Sequence, residues 1–355
     1  LAFGLLDRIN LKALENLQSI GVPNLIRHLG GWSPFPVGVV LVLAARCNLK
    51  CDMCLQAEEW NKGVPELTLA ELKGVVDDLS TSFRFKPLIH LTGGEPLLRR
   101  DLLAPDEGGG LPLLAHIKAR GFRCSLTTNG LLLERHAGEL VRLGLDRLHV
   151  SLDGPAEIHD AVRGVRGAHD RAVAGVRAVA GARKASGVSK PFTTINTVIS
   201  QANLSRLGAM IAIGQEAGAD ALSYQHLMFS GCINQDQVPL DIDRLLAEIP
   251  RLKRQARASG LAVTFYPRMG PEALRTYYQG GEEELNPRCV FPWYVVRVDT
   301  LGNITPCHGF VVDNVKAKAG SFRQVWNSRR FRAFRKELAA MGVFDDCGRC
   351  CHRQY

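Results

Sequence analysis

Three cysteines fall within the stretch ARCNLKCDMCLQ, residues 45–56: Cys47, Cys51 and Cys54. Thiolate is a soft ligand that suits zinc and the irons of iron–sulfur clusters. A closed structural zinc site takes four protein ligands, and full protein ligation of a four-iron cluster takes four cysteines. No fourth ligand follows within the next several positions. Three thiolates on a four-iron cluster would leave one iron open to a non-protein ligand; a partial metal site of another kind stays open at this level. A second group, Cys289, Cys307, Cys347, Cys350 and Cys351, lies far along the chain, with a CxxC inside DDCGRCC. Four thiolates there would make one closed site, either a cluster or structural zinc. Clustered thiols in a cytosolic protein indicate metal or redox chemistry rather than disulfides. Cys124 reads instead as a small buried hydrophobe, and Cys232 has the same plain reading.

The elements that must hold these thiols are legible from hydrophobic periodicity. Apolar runs at 39–45, 87–93, 123–128, 147–154, 192–200 and 221–229 alternate with helical patterns, several of which stop at Gly. Six such units predict an α/β fold, a partial (β/α)6 barrel of parallel strands with helices outside and right-handed crossovers. Ligands of such sheets gather at the C-terminal ends of the strands. There the sequence places Cys47, then GGEP (93–96), TTNG (127–130) and SLDG (151–154). The expected organisation is a helical extension over 1–37, the barrel over 38–240, a connecting helix and linker over 241–285, and a small C-terminal β-hairpin and helix over 286–355. The hairpin arms are WYVVRVDT and NITPC, turning at LG.

The chain has 355 residues, 46% hydrophobic and 22% charged, which predicts a large packed core. It has no apolar run long enough for a membrane span, and its first residues show no secretory cleavage pattern; a cytoplasmic location is expected. The net charge of +9 favours acidic partners. The densest basic stretch, SRRFRAFRKEL (328–338), spaces Phe331 and Phe334 as an amphipathic helix does, so its arginines read as a solvated face rather than a nucleic-acid site.

CxxxCxxC after the first strand, with GGEP after the second, resembles the radical S-adenosylmethionine (radical SAM) superfamily. The resemblance covers about residues 39–352. It implies that Cys47, Cys51 and Cys54 ligate a [4Fe–4S] cluster whose open iron takes the amino and carboxylate groups of S-adenosylmethionine. One electron then yields a 5′-deoxyadenosyl radical, which abstracts a hydrogen atom from a substrate C–H bond. By the same resemblance Met53 packs near the adenine, Gly93 and Gly94 let backbone approach the ligand, and Glu95 and neighbouring backbone groups meet the methionine ammonium. Ser151 and Arg163 contact the methionine carboxylate or ribose, Thr127 and Asn129 the ribose or substrate, and Asn196 the adenosine. An arginine fork is chemically apt for a carboxylate.

The C-terminal thiols resemble the SPASM/twitch extension, in the form that carries one auxiliary [4Fe–4S] cluster. Cys289, Cys307, Cys347 and Cys350 are the implied ligands, Gly302 allows the hairpin turn, and Cys351 is left over. An external one-electron donor such as flavodoxin or ferredoxin is implied. A small-molecule substrate is expected for dehydrogenation, epimerisation or rearrangement, because only about 38 residues precede the first strand, too few for the peptide-binding domain of many relatives. A peptide maturase, an RNA-modifying enzyme and a non-catalytic iron–sulfur or zinc protein are the alternatives. Candidate catalytic groups are His226, Tyr294 and Cys232, the last as a hydrogen-atom donor. Tyr224, Gln225, Trp293, His149 and His308 are further substrate-side candidates.

Overall fold

The first apolar run forms β1 (Gly38–Ala44), buried throughout from Leu41 onward. In this computed structural model the described residues are 29–54, 61–105, 108–228, 240–279, 288–307, 309–318, 320–344, 347, 350 and 353–354. Helix α1 (Leu69–Ser82) starts at a reciprocal capping box between Thr68 and Glu71, the signal that stops the chain extending and turns it into a helix. The alternation then continues through β2 (Leu88–Gly93), α2 (Leu113–Ala119), β3 (Cys124–Thr128), α3 (Leu133–Arg142) and β4 (Arg147–Ser151). It goes on through α4 (Ala156–Arg163), α5 (Ala168–Ser186), β5 (Phe192–Val198), α6 (Ala209–Ala217) and β6 (Ala221–Gln225). Helices α4, α5 and α6 all end on a glycine in the left-handed conformation.

The parallel sheet does not stop at six strands. Helix α7 (Ile242–Ser259) leads into β7 (Ala262–Tyr266), which pairs parallel with β6 from Ala221↔Ala262 to Gln225↔Tyr266. The segment expected as connector and linker therefore adds a seventh unit, followed by α8 (Pro271–Gln279). On the other side, β9 (Val295–Val298) pairs parallel with β1, Gly38↔Val295 to Leu41↔Val298. β9, the first arm of the hairpin, thus supplies an eighth parallel strand. The return arm β10 (Asn303–Thr305) and then β11 (Asp313–Asn314) complete a ten-stranded sheet in the order β11-β10-β9-β1-β2-β3-β4-β5-β6-β7. Two short strands, β8 (Arg288–Cys289) and β12 (Arg353–Gln354), pair separately, and α9 (Phe322–Trp326) and α10 (Arg329–Met341) lie between.

Alternation along the strands divides two environments. Leu41, Leu43, Ile89, Leu91, Leu126, Leu148, Val150, Ile195 and Leu222 belong to one apolar core with the helices. The residues between them, including His90, Thr127, His149, Ser151, Asn196 and Gln225, are only partly covered and line a cavity instead. A closed barrel fills its interior with branched apolar side chains; this one keeps a polar interior.

Strand direction also sets the two thiol groups apart. Cys47 follows the C-terminal end of β1. Cys289 precedes β9, and Cys307 follows β10, which runs back beside β9 with Thr305 opposite Arg297. The second group therefore lies at the N-terminal end of β1. At about 3.3 Å per residue, β1 alone separates the two levels by about 20 Å.

The basic helix keeps one cation for the interior. Arg329, Arg330, Arg332 and Lys336 are exposed, as the sequence suggests, but Arg335 is fully buried. Its guanidinium lies between the rings of Trp326 and Phe331, 4.0 and 4.1 Å from their centroids. It donates to the carbonyls of Pro292, Gly31 and Trp326. Burial pushes its pKa down to about 9.

Candidate functional site

The cysteine loop is held from three sides. Asn61, itself at φ 64°, uses its side-chain amide like a strand: Oδ1 accepts from Cys47 N and Nδ2 donates to Cys47 O, both at 3.1 Å. Lys50 N and Asp52 N donate to the carbonyls of Arg163 and Val162 at the end of α4. From β2, Gly94 N donates to Ala44 O and Glu95 N to Arg46 O, each at 2.8 Å. A Cβ on Gly94 would stand 2.1 Å from Arg46 O, and one on Gly93, at φ 144°, would meet Ala44 O at 2.7 Å. The two glycines of GGEP thus permit a close approach of the chain's own backbone to the cysteine loop, while also facing the cavity.

Glu95 gives the cysteine loop its backbone N–H but turns its carboxylate away from the cavity. Its side chain is fully buried and absent from the cavity lining. Oε1 accepts from Leu97 N and Thr128 Oγ1, and Oε2 from Asn129 N, at 2.8–2.9 Å. Burial raises its pKa, and the three donors oppose that rise. Its observed work is to clamp GGEP to the end of β3. Asn129, so fixed, donates to Asn48 Oδ1 at 2.7 Å and lies 3.9 Å from Cys47 Sγ.

Arg163 does reach the site. Its Nη1 lies 3.6 Å from Cys51 Sγ, while Nε and Nη2 pair with the Asp153 carboxylate at 2.7 Å. Asp153 is fully buried, and its Oδ1 accepts from Val198 N. Its backbone N donates to His159 Nδ1, and its carbonyl accepts from Asn203. Burial opposes the charge on Arg163, but Asp153 and then Cys51 hold its pKa above the ordinary value. Burial raises the thiols of Cys47 and Cys51; at Cys51 Arg163 partly offsets it.

Cys47, Cys51 and Cys54 line one cavity of about 290 Å³ with Gly93, Gly94 and Asn129. A second cavity, about 600 Å³, is lined by His90, His149, Asn196, Gln225, His226 and Tyr266 among others. Met53, Thr127, Ser151, Arg163 and Val198 line both, so the cavities adjoin. All the expected cofactor-side residues other than Glu95 face one or the other. Among the described residues no three His, Cys, Asp or Glu side chains gather tightly enough to hold a single metal ion; the three thiols instead share the wall of a cavity. Three soft donors on the wall of one cavity fit a cluster with an exchangeable ligand.

The larger cavity is lined by neutral imidazoles. Burial lowers His90 and His226 to about 4 and His149 to about 3, with His90 and Arg147 adding to the last. His90 bridges Ser125 Oγ at 2.8 Å and Thr127 Oγ1 at 3.3 Å. His226 Nδ1 meets Tyr278 Oη at 3.1 Å, so helix α8 orients the ring. Tyr224 is buried behind the sheet, its hydroxyl donating to Leu207 O.

Tyr294 does not join them. Its carbonyl accepts from Val37 N and Gly38 N, which places it at the N-terminal end of β1, away from the cavities. The parallel pairing of β9 with β1 dictates this: a residue just before β9 lies at the foot of the sheet. Trp293, beside it, packs with Phe334 and Leu338 against Cys289 and Cys307. Burial pushes the Cys289 thiol up, and the nearby thiols of Cys307, Cys350 and Cys347 add to the rise. Phe310, Phe334 and Phe344 wall this second group, and Phe344 N lies 3.3 Å from Cys347 Sγ. Cys232, His308 and Cys351 lie outside the described residues.

Sequence reasoning passed over Asn61, Asp153, His90 and Tyr278. Asp153 stood inside the quoted SLDG, and the αL-tolerant side chain of Asn61 was its signal. His90 needed strand alternation, and Tyr278 had no local signal.

Residues 41–199 match the radical SAM superfamily, and residues 289–351 match an iron–sulfur cluster-binding domain, SPASM. The chain is 30% identical to an AdoMet-dependent heme synthase of Methanosarcina barkeri, over 88% of this chain and 87% of that protein. It is 34% identical to a pre-heme d1 synthase of Dinoroseobacter shibae, over 58% of this chain and 46% of that one. A PqqA peptide cyclase of Bradyrhizobium diazoefficiens is 27% identical over 84% of this chain and 75% of that protein. The fold is also that of Streptococcus suis SuiB bound to S-adenosylmethionine, with TM-score 0.63 at 16% identity over 85% of this chain and 68% of that one.

Proposed function

The chain belongs to the radical SAM superfamily and carries a SPASM domain, and we propose that it abstracts a hydrogen atom from a small molecule held in the 600 Å³ cavity. The observation that carries this reading is the shared wall: five residues line both the three-thiol cavity and the larger one. A reactive group generated over the thiols would face a substrate in the adjoining cavity across that shared wall.

S-adenosylmethionine and its [4Fe–4S] cluster, when bound, supply one-electron carbon–sulfur cleavage and hydrogen-atom abstraction. The chain does the rest. Cys47, Cys51 and Cys54 would hold the cluster; Asn61, Gly94 and the end of α4 hold the loop that carries them. Arg163, kept cationic by Asp153, offsets thiolate charge at Cys51. Ser151, Thr127 and Asn196 offer neutral hydrogen bonds around the cofactor side, and Met53, Val198 and Leu227 exclude water. The neutral His226 offers its ring to the substrate as an acceptor or base. Cys289, Cys307, Cys347 and Cys350 would hold the auxiliary cluster.

The heme-forming relatives point to a tetrapyrrole as the substrate class, and a cavity of 600 Å³ is of the size that small-molecule sites have. The peptide cyclases offer a peptide as the second reading. The test is anaerobic purification and reconstitution, an iron count, and assay with S-adenosylmethionine, dithionite and either carboxylated tetrapyrroles or short peptides. About eight irons per chain, with 5′-deoxyadenosine formed and a tetrapyrrole changed in mass, is the expected result. Turnover of peptides alone would replace the tetrapyrrole reading, and no iron after competent reconstitution would end the radical one.

A further inference from the structure

Two buried tryptophans pack on helix α10, Trp326 with Phe331 and Trp293 with Phe334, and they use their indole N–H groups differently. Trp326 donates its own to Ser33 O at 3.1 Å. Trp293 is 2% exposed, and its Nε1 is buried with no hydrogen-bond partner among the described residues. A buried donor without an acceptor is costly, and a buried tryptophan is ordinarily found where its N–H reaches one. The backbone that carries the ring is pinned. Trp293 ends a 3-10 turn, Phe291–Trp293. Pro292 O accepts from Arg335 Nε at 2.8 Å, and Trp293 O accepts from Ser33 Oγ at 2.6 Å. The ring belongs to a cluster whose other members are phenylalanine, leucine and alanine side chains together with Cys289 and Cys307. Of these side chains only the two cysteines can accept a hydrogen bond. Backbone N–H groups already converge on sulfurs of the same group: Phe291 N on Cys289, and Phe344 N on Cys347 at 3.3 Å.

We propose that the Trp293 indole N–H donates a hydrogen bond to a sulfur of the auxiliary [4Fe–4S] cluster, a cysteinate or a cluster sulfide, and so sets the reduction potential of that cluster. The inference rests on the reading that Cys289, Cys307, Cys347 and Cys350 ligate it. Its direction follows from charge. One-electron reduction leaves the cluster one charge more negative, and a donor on its sulfur stabilises that state more than the oxidised one. Trp293 therefore raises the potential. It lines neither the three-thiol cavity nor the larger one, so its effect falls on the second group alone.

The experiment is a redox titration of the reconstituted holoenzyme, followed by electron paramagnetic resonance. It is run on the wild type, on Trp293→Phe, and on each of these with C47A/C51A/C54A, so that the second cluster is also read alone. Phenylalanine keeps an aromatic ring and removes the N–H. The expected result is a loaded second cluster whose midpoint lies lower by about 59 mV, a tenfold change in its one-electron equilibrium, with the midpoint of the three-cysteine cluster unmoved. A merely structural role gives the opposite sign: a smaller ring lets water reach the cluster, and solvent also stabilises the more negative state. An unchanged or raised midpoint on a loaded second cluster thus overturns the inference and leaves the ligand reading standing. If W293F retains no iron there, the wild type decides. With tryptophan labelled by nitrogen-15 in the indole, pulsed resonance on the reduced second cluster should show coupling to that nitrogen and to an exchangeable proton, and absence of both overturns the inference. Zinc in place of iron at the second site, read from the metal count, overturns it together with the reading that a cluster sits there.

Discussion

Replacing Glu95 with Gln separates a structural clamp from a cofactor contact. The carboxylate accepts three hydrogen bonds, two from backbone N–H groups on different elements and one from Thr128, in a fully buried place. An amide has one acceptor end. If its NH2 takes the Oε2 position, it faces Asn129 N–H; if it takes the Oε1 position, it faces Leu97 N–H, although Thr128 Oγ1 can then turn to accept. Either way one buried backbone donor is left without an acceptor, which costs about 1–3 kcal/mol. Taking about 2 kcal/mol, and a urea slope of about 3 kcal/mol/M for a large domain, the unfolding midpoint should fall by about 0.7 M. The assay is urea unfolding of the cofactor-free protein, followed by far-UV circular dichroism. With no S-adenosylmethionine present, a Glu95 that served only to meet the ammonium would leave the midpoint unmoved. An E95Q midpoint equal to the wild type's, together with weaker binding of S-adenosylmethionine, would refute the clamp and restore the ligand role.

Three further outcomes follow from the same geometry. Arg163→Met leaves Asp153 buried without its cation and should cost about 3–5 kcal/mol; R163M/D153N should recover part of that loss in the same unfolding assay. Asn61→Ala removes two hydrogen bonds from the Cys47 backbone, about 1 kcal/mol each, and should reduce the iron retained by the three-cysteine site after gel filtration, while N61G, which keeps the positive φ, should lose iron as well. His90, His149 and His226 have folded pKa values below the unfolded value, so the unfolded chain binds more protons between about pH 6.5 and 4. Stability is therefore complete above about pH 6.5 and is lost as pH falls, by up to about 1.4 kcal/mol per pH unit for each histidine; a cofactor-free protein as stable at pH 5 as at pH 7 would contradict this burial.

The strand–helix alternation was readable because each unit buries one face of a local pattern, and periodicity within about fifteen residues reports that. The residues at strand ends were readable for the same reason, and Met53, Thr127, Ser151, Arg163 and Asn196 do face the two cavities. What escaped was pairing between distant segments. LAVTFYP is a short apolar run inside the expected linker, and nothing local says that it joins β6 as its parallel neighbour. The hairpin was legible, yet its parallel pairing with β1 joins residues more than 250 positions apart and decides that Tyr294 lies at the foot of the sheet. The direction of the Glu95 side chain escaped for a subtler reason. GGEP predicts a carboxylate near the ligand, but whether the side chain turns outward or inward depends on donors that β3 brings. Arg335 was read with its neighbours as a solvated charge because helical spacing cannot foresee two rings and three carbonyls waiting on the buried side.

The placement of the two thiol groups at opposite ends of β1 bears on how the protein is made ready. Groups set about 20 Å apart along a rigid strand share no ligand among the described residues, and none of the described residues that wall one walls the other. Each can be filled or emptied by itself. A delivery protein would have to visit two sides of the molecule, and a half-loaded chain would be a true maturation intermediate rather than a damaged product. Exposure to air would then strip the two sites at separate rates, and repair of one would not have to wait for the other.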